Sequence, residues 1–338
     1  MEQTTLGRTG LTVGRTGFGA LPIQRVSFDE AKALLRRAYE AGVTFFDTAR
    51  RYSDSEEKIG YALADVRDEI VIATKIPADN RRKFMTLLET SLANLKTDHV
   101  DLLQLHWPPE LPDPDDPESA YAGLLEAKEK GLTRFVGITH HARALAKEAV
   151  ESGLYDTLQF PLSSISAEPD LELIDLCRQK DVGVIAMKAL SGGLITDAAT
   201  SFAFLRQYDN VVPIWGVQRP EELEQILALE AKPPALDDAM WQRIETDRSE
   251  LAGDFCRACG YCLPCPEDIP IPMAARMGLL LRRMPYEQFL TEEWQEKMNR
   301  VAQCTDCGQC RERCPYGLDT PRLLAKMLED YREFLAAQ

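Results

Sequence analysis

Eight of the nine cysteines in this 338-residue chain lie in two short runs near the C-terminus, and each run ends in Cys-Pro. In order, the two runs are Cys256, Cys259, Cys262, Cys265 and Cys304, Cys307, Cys310, Cys314. Thiolates at every third residue, closed by a cysteine and a proline, follow the iron–sulfur spacing C-x2-C-x2-C-x3-C-P. The second run fits this spacing fully, whereas the first closes with a gap of two residues. The pattern predicts iron–sulfur ligation by these cysteines.

Zinc and disulfides are the alternative uses of such thiols. Structural zinc usually takes two separated C-x2-C pairs rather than four thiolates in one run. Disulfides need an oxidising compartment, which nothing in the sequence indicates. The ninth cysteine, Cys177, stands alone on a predicted helix and is expected to be a small buried apolar side chain. The spacing therefore favours iron–sulfur clusters over both alternatives.

The composition is that of an ordinary globular protein, with 45% hydrophobic and 28% charged residues. A net charge of −15 argues against a nucleic-acid partner, because phosphates would be repelled. The N-terminus carries no apolar segment of the kind found in secretory signals, and no stretch is long enough to predict a membrane span. We expect a cytoplasmic protein that acts on small molecules, with no membrane partner.

Short apolar runs alternate with segments of helical periodicity over about the first 230 residues. These runs cover 17–22, 43–47, 69–75, 100–106, 133–138, 156–160, 182–187 and 211–215. Eight such strand–helix units match the size of an α/β (β/α)8 TIM barrel. An open doubly wound sheet is the alternative, but its first turn should carry G-x-G-x-x-G, and the glycines at 14, 17 and 19 have other spacing. The pattern favours the barrel.

The chain is expected to hold two domains. Residues 1–245 would form the barrel, and residues 250–338 a small, mainly helical domain around the two cysteine runs. The segment 106–119 is rich in proline and aspartate and follows the fourth predicted strand. It predicts an exposed loop on the active side of the barrel.

Ionisable side chains stand at three consecutive strand ends of the predicted barrel, where the functional residues of such barrels gather. Asp47 ends strand two, Lys75 ends strand three and His106 ends strand four, while Tyr52 lies in the loop after strand two. We expect the lysine to lower the pKa of the tyrosine, and the aspartate to hold the lysine in place. The histidine would orient a carbonyl oxygen beside the phenol. These four residues, called the tetrad below, suit protonation of a carbonyl oxygen while hydride reaches its carbon.

The segments LGRTGLTVGRTGFGALP, FFDTA-x2-Y, LQLHW, VGITHHA and LQFPLS resemble the aldo-keto reductases over residues 4–230. The resemblance implies that Asp47, Tyr52, Lys75 and His106 are the catalytic tetrad of an NAD(P)-dependent oxidoreductase. Such enzymes reduce aldehydes or ketones, or oxidise alcohols, with an extended nicotinamide cofactor in the barrel mouth and tyrosine as general acid.

The same resemblance implies a set of cofactor contacts. Thr139 and His140 correspond to a Ser-Asn pair that holds the carboxamide, Gln159 to a carboxamide-binding glutamine, and Met187 to an aromatic residue that stacks on the nicotinamide. Gly216 replaces a lysine and Glu222 an arginine near the adenosine phosphate, and Arg219 offers a compensating charge. The sequence therefore does not decide whether the cofactor is NAD or NADP. The full set adds Gly19, Asp47, Leu190, Gln218 and Gln225.

The C-terminal part resembles dicluster ferredoxin modules, in which the fourth cysteine of each run ligates the other cluster. This implies two 4Fe–4S clusters. One would be held by Cys256, Cys259, Cys262 and Cys314, and the other by Cys304, Cys307, Cys310 and Cys265.

Three roles for these clusters are open, because nicotinamide passes two electrons at once and each cluster takes one. The clusters could exchange electrons with a redox partner protein through a flavin or a radical step that no motif shows, form a structural lid, or sense redox state. The alternative class of function is an electron-transfer or redox-sensing protein whose barrel binds a nucleotide or a partner.

Overall fold

Eight parallel strands close into a barrel in which each strand pairs with its neighbours along the chain. In the computed structural model, which describes residues 1–251 and 255–338, the closed order is β10-β3-β4-β5-β6-β7-β8-β9. The barrel strands are β3 (Gly17–Gly19), β4 (Phe45–Asp47), β5 (Val71–Ile76), β6 (Val100–His106), β7 (Thr133–Thr139), β8 (Thr157–Pro161), β9 (Gly183–Met187) and β10 (Val211–Gly216). All eight predicted strands are therefore present, and the predicted TIM barrel is confirmed.

A two-stranded antiparallel hairpin, β1 (Gln3–Thr5) and β2 (Thr12–Gly14), precedes the barrel. Its apolar side chains Leu6, Leu11 and Val13 belong to one buried cluster with Phe45 and Ala73 of the barrel strands. The hairpin thus covers apolar side chains of the barrel interior. The sequence gives little sign of it, because its strands, QTT and TVG, are short and largely polar.

Amphipathic helices alternate with the barrel strands. They are α1 (Phe28–Glu40), α2 (Ser55–Leu63), α3 (Arg81–Leu95), α4 (Ala120–Glu129), α5 (Arg143–Ser152), α6 (Glu168–Gln179), α7 (Ala198–Leu205) and α8 (Pro220–Ala231). Helix α1 begins at a capping box in which Ser27 and Glu30 satisfy each other's backbone N–H groups, and it buries Ala31 and Leu35. Its apolar residues recur at helical spacing, which is why the sequence predicts this element.

The C-terminal helices are short except for the first and the last. They are α9 (Asp238–Glu250), α10 (Ile271–Ala274), α11 (Met277–Arg283), α12 (Glu292–Asn299), α13 (Gln309–Glu312) and α14 (Thr320–Ala336). Helix α14 buries Leu324, Leu328 and Tyr331, and the Tyr331 hydroxyl donates to the carbonyl of Phe289 at 2.7 Å. The stripe of apolar residues on α14 is therefore core of the C-terminal unit, as its helical spacing predicts.

The described chain divides into two units. One contains residues 1–189 and 199–237, and the other contains residues 190–198 and 238–338. Helix α9 and the segment 190–198 thus group with the cysteine runs. Residues 252–254, which fall in the predicted 250–338 domain, lie outside the described residues. Within the described residues, no helix combines the length and apolar character needed to cross a membrane.

Candidate active site and cysteine cavities

Three of the tetrad residues lie together at the C-terminal ends of neighbouring barrel strands. Asp47 is the last residue of β4, Lys75 the fifth of six residues in β5, and His106 the last of β6. Parallel pairing places Lys75 opposite Gln104 and His106 opposite Thr139. Because parallel strands end at the same edge, these polar side chains meet at one mouth of the barrel.

Asp47 and Lys75 form a buried ion pair. The Lys75 Nζ lies 2.6 Å from Asp47 Oδ1 and donates to the carbonyl oxygen of Thr48 at 2.5 Å. The Gln159 Nε2 donates to the same Asp47 oxygen at 3.3 Å. Burial raises the pKa of Asp47 and lowers the pKa of Lys75, while the attraction between the two charges opposes both shifts. The pair is therefore held in one arrangement at the barrel mouth.

The half-buried Tyr52 completes the group from the loop after β4. The Lys75 Nζ lies 5.0 Å from the centre of its ring, and the ring of His106 meets it edge-on with centres 5.9 Å apart. Burial first, and then the charge of Asp47, raise the pKa of Tyr52. The pKa of Tyr52 is thus raised overall, so the lowering by Lys75 that the sequence predicts is outweighed in the chain as it stands. The lysine N–H groups are directed at Asp47 and Thr48, and the ammonium lies over the ring face.

A raised tyrosine pKa keeps the phenolic proton in place at neutral pH. The neighbouring His106 is neutral there, because burial lowers its pKa well below the usual range and the charges of Lys75 and Arg51 add to that effect. Its Nδ1 is buried without a hydrogen-bond partner within the described residues. The site therefore offers a protonated phenol beside a neutral imidazole, which suits donation of a proton to a carbonyl oxygen.

A network that the sequence analysis missed fixes the loop carrying Tyr52. The Ser55 Oγ donates to the carbonyl of Ala20 at 2.9 Å and lies 2.9 Å from Thr48 Oγ1. The buried Glu56 accepts from Thr74 Oγ1 at 2.7 Å and pairs with Arg50. Only the serine and acidic residues that open α2 signal this network in the sequence.

The predicted nicotinamide contacts occupy the next strand ends, where Thr139 ends β7, Gln159 lies in β8 and Met187 ends β9. The Gln159 Oε1 is buried and has no hydrogen-bond partner among the described residues, so it can accept from a carboxamide N–H. The side chains therefore fit a nicotinamide cofactor.

Unlike the Gln159 Oε1, both ring nitrogens of His140 already have backbone partners. Its Nδ1 accepts from the backbone N–H of Ala142 at 2.9 Å, and its Nε2 lies 3.1 Å from the carbonyl oxygen of Pro108. Because Nδ1 accepts a hydrogen bond, the proton of the neutral ring lies on Nε2, which donates it to the Pro108 carbonyl oxygen. His140 therefore ties the 106–119 loop to the end of β7.

The predicted adenosine contacts lie around the start of α8. There the Glu222 carboxylate accepts from the backbone N–H groups of Gln218 at 2.9 Å and Arg219 at 3.1 Å. It also pairs with the Arg219 guanidinium at 2.7 Å. Gln225 is exposed on the same helix, and Gly216 ends β10. A side-chain carboxylate thus occupies the donors that a helix start presents to a phosphate.

The last two predicted cofactor contacts are Gly19 and Leu190. Gly19 ends β3, where an added Cβ would lie 3.3 Å from the backbone carbonyl oxygens of Ile214 and Trp215 in β10, so close strand packing favours glycine. Leu190 begins the segment 190–198, which groups with the C-terminal unit.

The cysteines of the two runs line two cavities in the C-terminal unit, and each cavity takes residues from both runs. The first cysteine cavity is lined by Cys256, Cys259, Cys262 and Cys314. The second cysteine cavity is lined by Cys262, Cys265, Cys304, Cys307 and Cys310. The structure thus brings together the crossed sets that the resemblance implies, with Cys262 bordering both cavities. The lone Cys177 is fully buried in α6, and burial raises its pKa to about 12.

The cysteine side chains and their spacing around the two cavities fit iron–sulfur clusters better than zinc ions. Within residues 1–251 and 255–338, no three His, Cys, Asp or Glu side chains lie close enough together to hold a single metal ion. Zinc would draw four thiolates to about 2.3 Å from one ion. Cysteines around a cavity, with the backbone N–H of Ala258 donating to Cys256 Sγ at 3.4 Å, instead suit a larger group whose sulfurs accept hydrogen bonds.

A TIM barrel with a buried Lys–Asp pair, a histidine and a loop tyrosine at its C-terminal mouth is the arrangement that the resemblance to the aldo-keto reductases implies. Residues 11–203 match the model of the aldo/keto reductase family. The chain belongs to that family and is an oxidoreductase. Residues 255–319 match the 4Fe-4S dicluster domain, so a dicluster domain follows the barrel.

Proteins named as reductases and dehydrogenases are among the relatives. L-galactose dehydrogenase of Arabidopsis thaliana is 32% identical over 220 residues, which cover 58% of this chain and 68% of that protein. Methylglyoxal reductase DkgA of Yersinia pestis is 37% identical over 142 residues, and the match spans 41% of this chain and only 50% of that protein.

Solved structures share the barrel fold. An aldo-keto reductase from Klebsiella pneumoniae in complex with NADPH superposes with a TM-score of 0.63 at 20% identity. The match covers 73% of this chain and 95% of that one.

Proposed function

We propose that this protein reduces a small aldehyde or ketone to the alcohol at the barrel mouth, and that its C-terminal domain carries two 4Fe–4S clusters. The observation that supports the reaction most is the packing of Tyr52 against both Lys75 Nζ and His106. Bound nicotinamide would supply the hydride. Thr139, Gln159 and Met187 are the side chains that would hold it.

The tetrad residues have separate tasks in this reaction. His106, neutral at physiological pH, would hold the carbonyl oxygen by a hydrogen bond. Tyr52 gives its phenolic proton to that oxygen as the carbon is reduced, so the C=O bond becomes C–O–H. The phenolate left behind is stabilised by the Lys75 ammonium, which Asp47 keeps charged and in place, until solvent returns a proton.

Methylglyoxal is a suitable first probe, because the relative from Yersinia pestis is named a methylglyoxal reductase. Purified protein with NADH or NADPH should consume the cofactor only when an aldehyde is present. A panel of methylglyoxal, short aliphatic aldehydes and aldose sugars would define the substrate class. Absence of aldehyde-dependent oxidation across that panel would count against the proposed reaction.

NADH should be preferred over NADPH. The carboxylate of Glu222 takes the two backbone N–H groups and the guanidinium that a 2′-phosphate would use, and its charge would repel that phosphate. Replacing Glu222 with glutamine should therefore raise kcat/KM for NADPH relative to NADH by about tenfold, which corresponds to ~1.4 kcal/mol. The measurement is the ratio of kcat/KM for the two cofactors in wild type and variant.

Glu224→Gln is the matched control, because it removes the same charge from the same helix. Its carboxylate pairs with Arg37 of α1 and accepts from neither of the two N–H groups. An equal change in cofactor ratio in both variants would show a general charge effect and contradict a specific role for Glu222.

The clusters would exchange electrons with a redox partner protein through the second cysteine cavity. Cys304 and Cys307 are exposed, whereas Cys262 and Cys310 are buried. Exposed ligands shorten the path for an electron from a docked partner. This exposure also keeps a second function open, in which the chain is chiefly an electron-transfer protein and the barrel binds a nucleotide. Anaerobic addition of NADH without an aldehyde distinguishes the two functions. Bleaching of the cluster absorbance near 400 nm would show that electrons pass from nicotinamide to the clusters and would favour the electron-transfer function.

A further inference from the structure

A buried arginine that has no carboxylate partner among the described residues lies beside the first cysteine cavity. Arg276, between α10 and α11, is only 4% exposed. Its guanidinium donates to the carbonyl oxygens of Pro272 at 3.0 Å and Gly192 at 2.8 Å, and it lies 3.5 Å from the Met273 sulfur. In the described part of the chain, its hydrogen bonds thus go to neutral groups.

Neutral acceptors satisfy the N–H groups of a guanidinium but not its charge. An uncompensated buried charge is strongly unfavourable, so buried arginines are normally paired with an anion. Cys256, a lining residue of the first cysteine cavity, is a group whose negative charge as a thiolate would favour the Arg276 guanidinium. The Cys256 Sγ lies 3.9 Å from the Pro272 oxygen, and Arg276 Nε donates to that same oxygen. One carbonyl oxygen therefore separates the guanidinium from a cluster ligand.

The second cysteine cavity lacks a comparable charge in the described residues. Arg311 and Arg313, which neighbour Cys310 and Cys314 in sequence, are both exposed, and Arg311 pairs with Asp319. An exposed and paired charge is screened by water, whereas a buried one acts at low effective dielectric constant. The two cavities thus differ in electrostatic environment.

We propose that Arg276 is the charge-compensating residue of the cluster held in the first cysteine cavity, and that it sets the reduction potential of this cluster above that of the second. Adding one electron makes a cluster more negative, and a fixed positive charge nearby stabilises this reduced state. Electrons that enter at the exposed second cluster would then pass to the first. The inference rests on the two clusters of the proposed function.

The chain offers a matched control in Arg283, the last residue of α11. Its Nη1 donates to the carbonyl of Leu194 at 2.8 Å, so it holds the same 190–198 segment that Arg276 holds through Gly192. Its charge, however, is neutralised by Asp247 at 2.9 Å and by Glu250. Arg283→Gln therefore removes a contact to this segment without removing the charge beside Cys256.

The test is an anaerobic redox titration of the full-length, cluster-loaded protein with dithionite, followed by electron paramagnetic resonance. Arg276→Gln should lower the midpoint potential of one cluster by 59 mV or more, a tenfold change for a one-electron couple. Comparison with Cys256→Ala should identify it as the first cluster. The other cluster should be unchanged, and Arg276→Lys and Arg283→Gln should keep both potentials.

Each further outcome is decisive. Loss of the first cluster in Arg276→Gln, with retention in Arg276→Lys, would also support a requirement for charge. Unchanged potentials in Arg276→Gln would overturn the inference, as would loss of the cluster in both Arg276 variants, which would assign the guanidinium a purely structural role. Wild-type protein that binds no iron after anaerobic reconstitution would refute the proposed clusters themselves, a failure recognisable before any variant is made.

Discussion

Replacing Tyr52 with phenylalanine should lower kcat for carbonyl reduction by about 10²- to 10⁴-fold, the range typical of losing a general acid. The change removes the hydroxyl but keeps the ring that packs against Lys75 and His106. The fold, the cofactor affinity and the iron content should therefore stay as in wild type. Steady-state kinetics with NADH and methylglyoxal, together with iron analysis, measure each of these quantities.

Tyr61→Phe is the matched control, since Tyr61 lies in α2, is exposed and donates only to Asp29 on the surface. It should keep full activity. Retention of wild-type turnover in Tyr52→Phe would show that another group delivers the proton, and the assignment of the tetrad would fall.

Replacing Cys314 with alanine should remove the same cluster as replacing Cys256, although these residues belong to different runs. The first cysteine cavity is lined by Cys256 and Cys314 together, whereas Cys265 lines the second with Cys304. Each single variant should hold about four iron atoms instead of about eight. Electron paramagnetic resonance of the remaining cluster should then be alike in Cys256→Ala and Cys314→Ala, and different in Cys265→Ala.

Cys177→Ala provides the control, because Cys177 is buried in α6 of the barrel unit. This variant should keep both clusters. If Cys314→Ala instead matched Cys304→Ala in its remaining signal, each run would hold its own cluster and the crossed ligand sets would be wrong.

The sequence predicts the barrel well because most of its strands are largely apolar or β-branched, such as Val211–Gly216, and alternate with segments of helical periodicity. Three residues of the tetrad were predicted because an ionisable side chain at the end of an apolar strand is unusual. The hairpin of β1 and β2 was missed because its strands, QTT and TVG, are short and largely polar, whereas the equally short β3 and β4 are fully buried.

Properties that depend on distant contacts could not be predicted. The pKa of Tyr52 rises rather than falls because burial outweighs a lysine whose N–H groups are directed at Asp47 and Thr48. Arg276 looks like any basic residue near a helix, and only its burial and its link to Cys256 through Pro272 single it out. Such features arise from packing between segments far apart in the chain.

The central claim is hydride transfer at the barrel mouth, and isotope labelling tests it most directly. The protein would be incubated with methylglyoxal and NADH carrying deuterium at both C4 positions, and the alcohol would be examined by mass spectrometry. We predict one deuterium on the former carbonyl carbon of every product molecule. Product formed with hydrogen from solvent at that carbon would mean that electrons reach the carbonyl by another route, such as the clusters, and would contradict the account.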